Sequence, residues 1–417
     1  MSKKARTILF FILAVIFLII TPMILFYSEG YRVDFKTGKI IETGGLYIKT
    51  NPGEATVLIN DKKEEKTSGF SKSLFIQNFL PKTYNIKISK EGYLPWEKNI
   101  EIVEKKVSEI DIILFKETYI KTLINSNLLS LNQVKNSFLI QKEEGFFYYN
   151  PENNKEELIT DSNDWNDFQI IENNLLLENG KKYFLFDNDS IEEIENLNQI
   201  NFKKDHLNNL YYQIDKTLYK NKEVIKTNID FYEINNNTLY YFKDGFLYRD
   251  DAKLSNLKFE ISDKNYTLLF VYNKIFLNEN NENLFILENN EFKKILSLNN
   301  YFEYSEWDGK ILFNTGNEIW TYFSKETYYP EFTKENTLKL IARFQNSIKD
   351  LSFINDKYYL FVKDNELLIS EFDYRDKINI FIIANNLENP KVFFNYDNKN
   401  IYIFEENSLY LISKIIP

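Results

Sequence analysis

No cysteine occurs anywhere in the 417 residues. That absence excludes disulfides, zinc–thiolate centres, a cysteine nucleophile and lipid attachment through a thiol. An exported protein without cysteine needs no oxidising machinery, which fits a bacterial envelope. Histidine occurs once, at His206, so a histidine metal cluster is excluded and any catalytic relay through imidazole has to use that ring. No nucleophile elbow accompanies it, and His206 is expected on the surface or in a turn. Glycine is held to 12 residues, and no glycine-rich phosphate loop is present. The net charge is −10, with no basic run beyond the first few residues, so nucleic acid is not expected as a partner. No catalytic, cofactor-binding or metal-ligating residue is singled out.

Aromatic residues and one long apolar run are abundant by contrast. Phe (36) and Tyr (29) bring the aromatic share to 17%, and together with Ile they suit pleated, half-buried surfaces. An AT-rich genome accounts for part of the same bias. Residues Ile8 to Tyr27 form a 20-residue run without charge. A helix of that length rises about 30 Å, the thickness of a bilayer's hydrocarbon core. Pro22 near its far end is tolerated in a membrane helix, and Tyr27 stands where an interfacial aromatic belongs. A cleaved signal peptide is the competing reading, with Ser28-Glu29-Gly30 as a small-x-small site, but the run exceeds a signal's apolar region. Flanking charges nearly balance: Lys3, Lys4 and Arg6 before, Arg32, Lys36 and Lys39 after. The short tail and the ease with which long domains translocate favour a cytoplasmic N-terminus with the bulk outside.

The expected organisation is all-β after the helix. Residues 1–27 make the tail and transmembrane helix, 28–44 a juxtamembrane hairpin, 45–116 a small sandwich and 117–417 a β-propeller. In the hairpin, Tyr31-Arg32-Val33-Asp34-Phe35 alternates and meets Thr37-Gly38 before Lys39-Ile40-Ile41. In the sandwich, Tyr84 to Ser89 alternates with period two. Four stretches there follow in order: Asn51-Pro52-Gly53-Glu54-Ala55, Asn60-Asp61-Lys62, Leu80-Pro81-Lys82-Thr83-Tyr84 and Lys90-Glu91-Gly92-Tyr93. Their order and spacing resemble the PEGA domain, a small β-sandwich of bacterial and archaeal envelope proteins, over about Gly45 to Phe115. Lys62 and Lys82 stand where that family has glycine. The resemblance implies an envelope-associated structural or binding module and brings no catalytic residue. Gly53 and Gly92 are expected to serve turns at positive φ, and Tyr84, Tyr93 and Trp96 to serve packing.

From about Glu117 a unit recurs: an apolar strand, a polar turn, an aromatic-rich strand, and in most cases a third strand. Phe138-Leu139-Ile140 with Phe146-Phe147-Tyr148-Tyr149 is the first such pair, and Ile401-Tyr402-Ile403-Phe404 with Leu409-Tyr410-Leu411 is the last. Eight pairs at a spacing near 36 residues predict a propeller of seven or eight blades, one pair being open to reading as an insertion. The last pair has no third strand after it. Residues Thr118 to Ile124 are expected to supply one, closing the ring and leaving no open edge. Tyr304-Ser305-Glu306-Trp307-Asp308-Gly309-Lys310 resembles the repeat of Tol-system propellers, with Trp307 in place of the family's proline.

Two acidic stretches, Asp187-Asn188-Asp189-Ser190 and Glu371-Phe372-Asp373, offer oxygen ligands but lack calcium-loop spacing, and solvated turns are expected there. Asn188, Asn236 and Asn265 fall in glycosylation-type triplets that chance explains in so asparagine-rich a chain. The expected function is a single-pass, membrane-anchored extracytoplasmic binding or scaffold protein that presents its propeller to an envelope protein or glycan, without a cofactor and not an enzyme. The alternative is a propeller-type carbohydrate-active enzyme whose carboxylate pair meets only in the fold.

Overall fold

The fold was obtained as a computed structural model, which describes residues 3–34, 38–134, 137–161, 167–171, 174–179, 182–187, 190–195, 202–207, 209–262 and 264–416. These form two compact units: residues 1–119 with 373–381 and 414–417, and residues 120–372 with 382–413. The reading Asp187-Asn188-Asp189-Ser190 and the triplet at Asn188 extend outside the described residues.

The first unit begins with one helix, Lys3–Ser28, with Pro22 inside it. Among the described residues it is the one helix long and apolar enough to cross a membrane, and none of Arg6–Ser28 is buried. A two-stranded hairpin follows, Tyr31–Asp34 paired with Lys39–Glu42. The sandwich then stacks a three-stranded sheet on a four-stranded one. In the first, Gly44–Asn51 pairs antiparallel with Ser73–Phe79 and parallel with Val107–Ile113. In the second, the order is Lys63–Lys66, Thr56–Ile59, Thr83–Ser89, Trp96–Glu101. Inward positions alternate along most strands, so Leu46, Ile48, Val57, Ile86, Ile88, Trp96, Ile110 and Ile112 make the core between the sheets. Gly92 has φ +79°, as a turn requires. Gly53 is needed for a different reason: a side chain there would meet the Ser68 carbonyl, and its φ is not in the left-handed region.

Among the described residues the second unit builds eight four-stranded sheets, one of whose strands, Ile380–Ala384, begins within the 373–381 stretch of the first unit. Blades 1 to 7 span residues 130–160, 167–195, 202–227, 231–253, 266–297, 303–343 and 348–384, each pairing four consecutive strands in chain order. Blade 8 takes three strands from 391–412, and its fourth is Thr122–Asn125, paired antiparallel with Ser408–Ile412. The expected closure is therefore present, and the count among the described residues is eight. Leu131, Phe138, Ile140 and Tyr149 of the chain's first blade, with Leu128 just before it, pack with Tyr402 and Leu409 of its last. First strands of blades 2 and 3, 3 and 4, 4 and 5, 6 and 7, and 7 and 8 touch, so first strands line the centre.

Burial explains why only some strands are apolar throughout. Second strands such as Lys310–Asn314 and Tyr358–Lys363 are covered on both faces by neighbouring blades and are almost wholly buried. First strands alternate, for example half-buried Glu303, exposed Tyr304, buried Ser305 and exposed Glu306 in Glu303–Trp307.

Candidate functional site

The first strands of blades 5 to 8, with Asn278 and Asn281 of blade 5 and Gln133 of blade 1, line an open cavity of about 520 Å³ at the centre of the second unit. Two acids face it, Glu303 and Asp350. Glu303 Oε1 accepts from the Asp350 backbone N–H at 3.2 Å, and Oε2 from the Leu351 N–H at 3.3 Å and Asn314 Nδ2 at 3.0 Å. The blade 7 strand is irregular between Lys349 and Ser352, where Asp350 adopts φ +56°. Glu303 therefore holds the backbone donors that this irregularity frees from the ladder. Asp350 repeats the device one blade on, its Oδ2 accepting from the Val392 N–H at 2.9 Å. Burial pushes the Asp350 carboxyl up to about 6, and the Glu303 charge adds to this, against the Val392 N–H and the cations of Lys349 and Lys391. Burial and the Glu303 carboxylate likewise drive the Tyr301 phenol far up.

Aromatic rings edge the same cavity. Tyr396 stacks on Trp307 with centroids 5.6 Å apart at 25°, and its hydroxyl lies 3.0 Å from Ser352 Oγ. Lys399 Nζ stands 5.7 Å over the Trp307 ring. Trp307, singled out in the sequence as a departure from the Tol-type repeat, thus stacks on the lining ring of Tyr396 without lining the cavity itself. Chemically the site combines flat apolar faces with hydroxyl, amide and carboxyl groups, the mixture that binds polar ligands with ring-shaped or planar parts. A second cleft of about 550 Å³ between blades 6 and 7 is lined by Asn299, Asn317, Asn346 and Asn365 with Lys349 and Lys363. Its amides are engaged locally, Asn299 with Asn317 at 3.3 Å and Asn346 with Asp364 at 2.7 Å.

Comparison with known proteins bears on the first unit. Residues 43–118 match the PEGA domain. The search of curated proteins finds no match. Among solved structures, the computationally designed Ika8 protein is 11% identical with a TM-score of 0.43, covering 72% of this chain and 99% of its own. BamB from Moraxella catarrhalis is 9% identical with a TM-score of 0.43, covering 70% and 99%. Virginiamycin B lyase from Staphylococcus aureus is 13% identical with a TM-score of 0.39, covering 70% and 96%.

Within the PEGA domain, Trp96 is fully buried, Tyr84 is 8% exposed, and Tyr93 is half-buried in a bridge to Lys116. Trp96 and Tyr84 serve packing. The stretch Glu371-Phe372-Asp373 is not a solvated turn as expected: Glu371 and Asp373 are buried. Asp373 receives the Lys98 ammonium at 3.6 Å and the Arg375 guanidinium, whose Nε and Nη2 reach its two oxygens at 2.9 and 2.7 Å. Lys98 also donates to the Asp373 carbonyl at 2.5 Å. The spacing Asp-x-Arg in 373–375 was the available signal, since it lets one side chain fork onto the other. His206 is exposed in a turn and meets Asn236 and Asn237. Asn236 and Asn237 themselves form a left-handed turn. Glu303 and Asp350 were not singled out from sequence, because nothing local distinguishes them among 61 acidic residues.

Proposed function

We propose that the chain is a single-pass membrane protein of the cell envelope, N-terminus cytoplasmic, whose extracytoplasmic propeller binds a protein or glycan. The carrying observation is the bare helix. Twenty charge-free residues form a cylinder that nothing among the described residues covers. Water disfavours that surface, and a hydrocarbon core of about 30 Å matches its length. The PEGA domain that follows supports placement in the envelope, and the aromatic edge of the central cavity supports binding there.

The absence of native cysteine provides a clean test. Single-cysteine variants K3C and E326C are expressed in intact cells and treated with a membrane-impermeant maleimide. The expected result is labelling of E326C alone, in the membrane fraction. Labelling of K3C alone reverses the orientation. A soluble product lacking residues 1–27 replaces the anchor by a cleaved signal.

A second reading is a carbohydrate-active enzyme using Glu303 and Asp350. It is favoured by a carboxyl held up to about 6 beside aromatic rings. Against it, both carboxylates are engaged with backbone N–H groups. Incubation with envelope polysaccharide is expected to release no reducing ends; release that D350N abolishes establishes the enzyme instead.

A further inference from the structure

We infer that the membrane-proximal end of the first unit is itself a lipid-contacting surface, lying in the headgroup layer of the bilayer the helix crosses. This rests on the proposed anchor. The helix does not lead into a free linker. Gly30, two residues past its end, accepts from Thr43 N at 3.0 Å and Thr43 Oγ1 at 2.7 Å. The Thr43 carbonyl in turn accepts from Lys105 N at 3.1 Å, and Lys106 O from Gly45 N at 2.9 Å. Gly44 leaves no room for a side chain against the Val103 and Lys106 carbonyls. The hairpin and the 103–107 turn are thus both fastened to the helix end.

The hairpin face is oriented by its first residue. Tyr31 packs edge-on against Phe26 of the helix at 5.4 Å, and Arg32 covers the Tyr27 ring at 3.5 Å. Val33 lies on the same face as Tyr31 and pairs with Ile40. Both are exposed, Val33 at 47% and Ile40 at 66%, and so are Val103 and Val107 on the adjoining turn. A four-residue strand extends about 10 Å, enough to cross a headgroup layer of about 5–7.5 Å. Charge does not select an anionic surface here: in sequence, Arg32, Lys36, Lys39, Lys105 and Lys106 are nearly offset by Glu29, Asp34, Glu42 and Glu104. The contact is therefore apolar and interfacial, of the kind made by aliphatic side chains at the acyl boundary.

The opposite end supplies a control. Phe70 is fully exposed on the turn before Lys72, which bonds Asn51 at the far end of strand Gly44–Asn51. Seven residue steps along that strand carry it about 23 Å from Gly44.

The test uses the full chain in phosphatidylcholine vesicles containing a headgroup-nitroxide lipid. Ile40, Val107 and Phe70 are replaced singly by cysteine and labelled with an environment-sensitive fluorophore. More than half of the emission is expected to be lost at 40 and 107, and none at 70, with no change on adding salt or anionic lipid. With Val103 labelled instead, I40N/V107N is expected to restore emission. Equal emission at all three sites in chains that float with the vesicles overturns the inference and leaves the anchor standing. Quenching that requires anionic lipid and disappears in salt overturns the apolar contact. A chain that does not float overturns the anchor, and the inference with it.

Discussion

Lys98 has no exposed side-chain surface, and the carboxylate facing it is 3% exposed. Two charges withdrawn from water need each other, and removing one leaves the other stranded at about 3–5 kcal/mol. D373A is therefore expected to destabilise the first unit by that amount. K98M, of similar volume, leaves Asp373 its Arg375 fork and is expected to cost far less. Urea unfolding of the full chain in detergent distinguishes the two, and equal losses contradict this account. Asp350 gives a pH dependence. Its folded value of about 6 lies above the ordinary carboxylate value, so the fold favours the protonated form. The stabilisation is complete below pH 4 and is lost as pH rises through 6, by about 3 kcal/mol. D350N keeps an acceptor for the Val392 N–H and suits the positive φ, so it is expected to lose about 3 kcal/mol less than wild type over that window. Thermal unfolding of wild type and D350N at pH 4.5 and 7.5 checks the slope, which has to be shallower in the variant.

Turns decide the next scale, and here the asparagine bias acquires a physical meaning beyond genome composition. With few glycines available, left-handed turn positions are filled by asparagine and aspartate: Asn236-Asn237, Asn289-Asn290 and Asp364-Asn365 each place two consecutive residues at positive φ. Such pairs match the twist of two-residue hairpins. N290G is expected to leave stability unchanged or slightly raised, whereas N290V, forced into the same φ, costs about 1–2 kcal/mol. Urea midpoints of the two variants test this. The strands flanking these turns were legible in sequence where they are buried on both faces, because such strands are continuous apolar runs. First strands were harder to see. They alternate polar and apolar residues around the cavity, as Glu303-Tyr304-Ser305-Glu306 does, and so the residues that shape the candidate site lie on the least conspicuous elements. The helix was legible outright, since a charge-free run of that length has few other uses. The role of 373–381 was not legible, because its partners Lys98, Asn99 and Phe115 lie more than 250 residues away in the chain.

For the whole propeller, the pairing of strands within blades 1 to 7 is local in sequence, and one pairing is not. Thr122–Asn125 joins Ser408–Ile412 across the length of the ring, with Leu123 opposite Tyr410. Forming it closes a loop of the entire unit and is the step with the largest chain-entropy cost. The ring is therefore expected to open there first. Directly opposed residues of an antiparallel pair have Cα atoms about 4.5–5.5 Å apart, within disulfide range. Because the chain has no other cysteine, L123C/Y410C can form one bridge alone within the chain. Loss of the Lys121 contact with the Tyr410 ring is a small debit. Oxidation is expected to raise the propeller's thermal transition by several degrees, reversed by reductant, since a closed loop of about 100 residues or more is worth up to about 5 kcal/mol. L287C/F292C, an opposed pair within blade 5, closes a loop of a few residues and serves as the comparison. If both bridges stabilise equally, the seam between Thr122–Asn125 and Ser408–Ile412 is not where the ring opens.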